Sequence, residues 1–274
     1  MNNKKGLTWA IRILLLITLI SGGLLFSYIY SLRRAGNEFD DLTMIFHNSQ
    51  IAEKAPKKHN PKQPIKTEDS PEERIKEEKI DMALIFEELQ NKNDDIVGWI
   101  SIGGTSINYP IMHTPNNPEY YLHRNFEKAY SISGVPFVDA HSSLEPRSDN
   151  IIIHAHNMKN GSMFAQLLAY KDEAFLEQHS AIDLYTLSKK QTYDILAVFP
   201  AEVYNDHNTK FNYHTFVNAA NKEEFGSYID SIKEVSLFDT GIEAKYGDHL
   251  LTLSTCAYHA SHGRFVVIAK ARHK

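Results

Sequence analysis

The sequence predicts a mainly β protein: a closed or nearly closed barrel of about eight strands with peripheral helices, carried behind one N-terminal membrane-spanning helix. Three observations lead there. From Ile96 onward, short β-like runs alternate with turn residues. An uncharged run, "ILLLITLISGGLLFSYIYSL", fills Ile13 to Leu32. Helical spacing of apolar residues is confined to a few stretches around and between the strands.

The chain has 274 residues, 42% of them hydrophobic, enough for one sizeable core or two small ones. Its formal net charge of -5 is spread over both halves without a block of one sign, so nucleic acid is not an expected partner. The single cysteine, Cys256, excludes an internal disulfide framework, and the compartment must therefore be read from the N-terminus.

The run from Ile13 to Leu32 is long enough at helical rise to cross a hydrocarbon core of roughly 30 Å. Lys4, Lys5 and Arg12 precede it, Arg33 and Arg34 follow, and Trp9, Tyr28 and Tyr30 sit where aromatic belts lie. The rival, a cleaved signal peptide, has a shorter apolar core and needs a small-residue cleavage site that is missing here. A buried core helix is a poor match, because the apolar surface runs round the whole circumference. Residues 1–34 are thus expected to be a cytoplasmic stub and anchor, with the N-terminus inside and the rest on the extracytoplasmic face.

Residues 35–69 include "EKAPKKHNPKQPIKTED", rich in Lys, Pro, Asn and Gln, and read as a flexible tether. Its lysines could also meet anionic lipid, although interleaved prolines and acidic residues favour a solvated linker. The folded domain is expected to span 70–274. It opens on a helical lead-in with Ser70 as N-cap, Pro71 at the first helical position and Glu73 closing a capping box.

The expected strands are "IVGWISI", "SINYPIM", "SGVPFVD", "NIIIHAH", "IDLYTL", "YDILAVFPAEVY", "HLLTLSTC" and "RFVVIAKA". One helix is expected over roughly Met163 to Tyr170. Another starts after Asn221 as N-cap, in the connection before the penultimate long strand, with Phe225, Ile229 and Ile232 along one side.

Alternation through "LLTLSTC" sets Thr252, Ser254 and Cys256 on one side of a strand, with the thiol at the strand's end. Taken alone, a free cysteine reads as a small buried hydrophobe. A nucleophile needs in addition a base and donors for an oxyanion. His154 and His156 end one apolar strand and Arg264 starts another, so the components of such a site exist. The same H-x-H pair, completed by His259 or His262, is the alternative of a metal site. For Arg264 the alternative is an ordinary surface strand position.

The strand end "TLSTC", the arginine heading the next strand and the upstream "HAHNMKNGSMF" together resemble the sortases, and class B in particular. "DDIVGWISIGGTSINYPIM", "EYYLHRNF" and "SGVPFVDA" extend the similarity over Asp94 to Lys274. The resemblance implies an eight-stranded sortase-type barrel with Cys256 as nucleophile, His156 as acid and base, and Arg264 as the cation whose donors meet the developing oxyanion or the substrate's backbone carbonyls, leaving His154 a bystander. Ser254 and Leu122 are the candidate substrate contacts. Neither a metal nor a cofactor is implied.

The implied reaction is transpeptidation at a Gram-positive-type cell surface. A secreted protein is cleaved at a C-terminal NPxTN-like or LPxTG-like sorting motif and passed from a Cys256 thioacyl intermediate to a peptidoglycan-precursor or pilin-type amine. The alternatives are an exported cysteine hydrolase and a non-catalytic membrane-tethered binding module. Two departures from the family pattern stand out: Ala155 precedes His156 where glycine is common, and the short "AYHASHG" loop carries His259 and His262.

Overall fold

The computed structural model describes residues 2–54, 86–202, 211–256 and 263–273. Eight strands close a barrel in the order β1-β2-β3-β4-β7-β8-β6-β5. They are β1 (Ile96–Ser101), β2 (Asn108–Met112), β3 (Phe137–Val138), β4 (Asn150–Ala155), β5 (Ala181–Thr186), β6 (Lys190–Glu202), β7 (Leu250–Cys256) and β8 (Gly263–Ala271). The barrel and strand count agree with expectation. Closure removes every free sheet edge, which is why chains of short alternating strands settle on it.

Pleat alternation divides the core. Leu251, Leu253, Phe265, Val267 and Ala269 belong to one apolar cluster. Their neighbours Leu250, Val266 and Ile268 join a second, with Phe225, Ile229 and Ile232 of the helix Lys222–Val235. Because that helix lies outside a closed barrel, the even-numbered positions of β7 and β8 face outward. The Asn221 side chain caps it by accepting the Glu224 N–H at 2.9 Å, as the sequence anticipates.

The helix expected over Met163 to Tyr170 begins later. Met163 adopts φ 59°, a left-handed conformation incompatible with a helical turn, and forms a β-bridge with Asn157. A 3-10 helix spans Ala165–Lys171, and an α-helix, Glu173–Gln178, follows with Asp172 as its N-cap.

The N-terminal helix α1, Asn2–Lys54, is 53 residues long. Its Ile11–Asn48 portion is long and apolar enough to cross a membrane by length and composition. Residues 35–54, expected to be tether, instead continue this helix. Phe39, Leu42 and Phe46 repeat at helical spacing and are buried with the barrel core. The Phe46 ring stacks on Trp99 of β1 at 4.4 Å and Phe39 meets Tyr109 of β2 edge-on at 5.2 Å. The lysine- and proline-rich composition belongs to the residues after 54 and conceals this short apolar stripe. Positions 55–69 and the Ser70 capping box lie outside the described residues. Of the lead-in, residues 86–92 are helical, with Phe86 and Leu89 buried.

Candidate active site

β4 and β7 run parallel in the register His154↔Ser254 and Ala155↔Thr255, so the next residues along the two strands are His156 and Cys256. β7 and β8 run antiparallel with Cys256 opposite Arg264. Cys256 and Arg264 thus sit in one row at the ends of β7 and β8, and His156 follows directly on Ala155, the last residue of β4. Residues in register across a sheet share a face. For this row it is the outward face, two residues beyond Ser254 on β7.

The outer helix covers the lower part of that face, and the upper part floors an open cleft of about 570 Å³. His154, His156, Ser254 and Arg264 line it from the barrel; Leu122, Asp139 and Tyr213 stand at its walls. His156 is half-buried, its Nε2 lies 2.8 Å from the Leu122 carbonyl oxygen, and its ring stacks on His123 at 5.4 Å. The neutral imidazole thus carries its proton on Nε2, donated to Leu122, and keeps a lone pair on Nδ1. Arg264 is half-buried, and its guanidinium donates to the Gly263 carbonyl at 3.1 Å, which sets the base of the side chain along β8 and leaves further donors.

His154, two residues before His156 and in the same cleft, is otherwise engaged. Its Nε2 lies 3.0 Å from one Asp139 carboxylate oxygen, while His141 Nδ1 lies 3.0 Å from the other. Burial pushes the Asp139 carboxyl up, but the hydrogen bonds from His154 and His141 outweigh it and hold the group well below the ordinary carboxylate range. Among the described residues, no three His, Cys, Asp or Glu side chains are gathered as a metal ion requires. His259 and His262 lie outside the described residues. His214, which also lines the cleft, is pushed down mainly by burial, and its buried Nδ1 has no hydrogen-bond partner.

Ser254 lines the cleft but is 1% exposed, and its hydroxyl pairs with the Tyr213 hydroxyl at 2.6 Å. Leu122 contributes its carbonyl to His156 as well as its side chain to the cleft wall. Sequence reasoning did not single out Asp139, Tyr213 or His214. No local pattern marks them, because their approach to the cleft is set by loops whose partners are 15 to 41 residues away in sequence.

A model of the sortase domain matches residues 100–272. Sortase B of Listeria monocytogenes is 33% identical over 185 residues, covering 67% of this chain and 72% of that protein. Sortase B of Staphylococcus aureus is 31% identical over 187 residues, covering 68% and 73% respectively. Among solved structures, a mutant form of Clostridium perfringens sortase B superposes with a TM-score of 0.64 at 34% identity, covering 74% of this chain and 92% of that one. A Staphylococcus aureus sortase B–substrate complex gives 0.63 at 28% identity, covering 73% and 94%. Barrel topology and these similarities agree: the chain belongs to the sortase family, as a cysteine transpeptidase of class B.

Proposed function

We propose that Cys256, His156 and Arg264 carry the transpeptidation; the reading is supported by the pairing of Cys256 with Arg264 across β7 and β8, beside the end of β4 from which His156 follows, and by the lining of the cleft by His156 and Arg264. The Cys256 thiolate attacks the carbonyl carbon of the scissile peptide bond in a sorting motif, NPxTN-like or LPxTG-like. Negative charge develops on the carbonyl oxygen, and the fixed cationic fork of Arg264 meets it. His156, protonated on Nδ1 while Nε2–H stays on the Leu122 carbonyl, gives the Nδ1 proton to the departing amine nitrogen as the C–N bond breaks.

A thioester on Cys256 results. An incoming amine attacks that carbonyl, His156 Nδ1 takes a proton from it, and the thiolate leaves as the new amide forms. Atoms and charge balance with no external oxidant or cofactor. The amine is of peptidoglycan-precursor or pilin type. Leu122 and Ser254 line the path of the sorting motif, Ser254 by fixing Tyr213 in the cleft wall.

The apolar part of α1 anchors the enzyme in the membrane with the N-terminus inside. This sets the barrel on the extracytoplasmic face, where sorting signals and wall-linked amines are met. The solved Staphylococcus aureus complex with substrate supports peptide binding by this barrel type.

The test is a panel of sorting peptides incubated with the full chain, with the adduct on Cys256 read by mass spectrometry and transfer to added triglycine read by chromatography. A thioacyl adduct that disappears in Cys256→Ala, and product transferred to triglycine, are expected. Turnover in Cys256→Ala overturns the assignment of the nucleophile. Release only to water, with no gain from amine, converts the reading to a hydrolase.

A further inference from the structure

The "HNMKNGSMF" stretch directly after β4 is closed on itself. Phe164 N–H donates to the His156 carbonyl at 2.9 Å, and Asn157 and Met163 form a β-bridge. At the closing point Met163 is held at φ 59° with its side chain 1% exposed, a conformation a non-glycine residue keeps only where its surroundings fix it. What fixes it comes from elsewhere in the chain: the Met163 N–H donates to the Tyr109 hydroxyl at 3.1 Å. Tyr109 is itself buried, and its ring meets Phe39 of α1 edge-on.

We propose that Tyr109 is a positioning residue for His156, and that the juxtamembrane part of α1 holds it in place through Phe39. The relay runs from Phe39 to Tyr109, from the Tyr109 hydroxyl to Met163, and through the closed 156–164 loop to the imidazole. The first two links are contacts between buried groups, and a packed contact transmits displacement because the interior has no slack to absorb it; the last runs through the Phe164 N–H bond to the His156 carbonyl. Without the Tyr109 hydroxyl the Met163 N–H is left buried and unpaired, and the loop relaxes from the left-handed turn to satisfy it. His156, immediately before the bridged Asn157 and held on its other side by Leu122, then loses its fixed position relative to residue 256. Residues 35–54 are thereby part of the catalytic unit as well as its attachment.

This inference rests on the role proposed for His156, so the experiment separates the two. The pH dependence of Cys256 alkylation by iodoacetamide is measured on the full chain in detergent micelles, a readout independent of which sorting motif is cleaved. Thermal unfolding is recorded in parallel. His156→Gln should change the alkylation profile of the wild-type chain; an unchanged profile overturns the His156 role itself.

Tyr109→Phe should move the profile at least halfway towards that of His156→Gln, and should add nothing in the Tyr109→Phe, His156→Gln double variant. Phe39→Leu should move it in the same direction by less. A Tyr109→Phe chain with a lowered unfolding temperature and the wild-type profile overturns the inference, since the hydroxyl then serves stability alone. Additive effects in the double variant overturn it as well. If Tyr109→Phe does not fold, Phe39→Leu is judged on the same two criteria.

Discussion

The Nε2 atom of His156 lies 2.8 Å from the carbonyl oxygen of Leu122, and Gly134 is packed against that same carbonyl. A Cβ on Gly134 would stand 2.6 Å from the Leu122 oxygen and 2.5 Å from that of Tyr121, and its φ is +59°. Side chains are disfavoured there on both counts, at roughly 1–2 kcal/mol for the left-handed backbone alone. Gly134→Ala should therefore displace the acceptor that orients the imidazole. Expected are a kcat reduced by about tenfold or more, in line with the usual worth of a positioned acid–base group, and a lowered unfolding temperature. Steady-state kinetics on a cleaved sorting peptide check it, and wild-type kcat would show that the Leu122 contact is dispensable.

Arg264 faces position 256 across β7 and β8. Arg264→Lys keeps the charge but loses the planar fork, so kcat should fall by at least about tenfold, within the range seen on removing an oxyanion donor. KM should change by less, because the developing charge exists only in the transition state. Equal loss in both parameters would assign Arg264 to ground-state binding.

Ser254 and Tyr213 share a buried hydroxyl pair at 2.6 Å. Ser254→Ala removes it, and a buried hydrogen bond of this kind contributes about 1 kcal/mol to stability. Chemical denaturation should register that loss. Peptide cleavage should show a raised KM with kcat largely kept, since Tyr213 forms part of the cleft wall. A fall in kcat alone would contradict a substrate-side role.

Phe46 is 1% exposed and lies flat on Trp99. Truncating a buried phenylalanine costs about 3–5 kcal/mol, so Phe46→Ala should lower the unfolding midpoint of the barrel markedly. An unchanged midpoint would return residues 35–54 to the status of a tether.

Stability should decline as pH falls from neutrality. His113, His214 and His249 are all held below their ordinary values, chiefly by burial. Each contributes stability that is present above the unfolded histidine value of about 6.5 and lost as pH falls through the depressed folded value. Asp139 acts in the same direction further down: its carboxyl is held low by His154 and His141 after burial raises it, so its contribution is lost only below the ordinary carboxylate range. Unfolding temperatures recorded from pH 7.5 to 2 should fall as pH drops below the unfolded histidine value and fall again below the ordinary carboxylate range. A flat profile from pH 7.5 to 5 would refute the histidine contribution.

The alternation of β7 is enough to put Ser254 and residue 256 on a common face, and the Asn221 cap with Glu224 marks a helix start to the residue. Both are local: period-two pleating and a side chain reaching three residues ahead are written into short stretches of chain. The long N-terminal helix is legible for the same reason, since an uncharged run from Ile13 to Leu32 satisfies the length criterion for a membrane span by itself.

What only the tertiary structure decided is long-range. The parallel register of β4 with β7 brings the end of β4, just before residue 156, beside the end of β7 that carries residue 256, and no periodicity within either strand encodes that offset. Leu122, Asp139 and Tyr213 reach the cleft through contacts spanning many residues, each chosen by packing and hydrogen-bond satisfaction. Phe39, Leu42 and Phe46 do carry helical spacing, but three apolar residues in a polar neighbourhood become a helix face only when a barrel surface is there to bury them. Sequence thus determined the strands, the capped outer helix and the chemical groups they carry; closure of the barrel decided which of those groups meet.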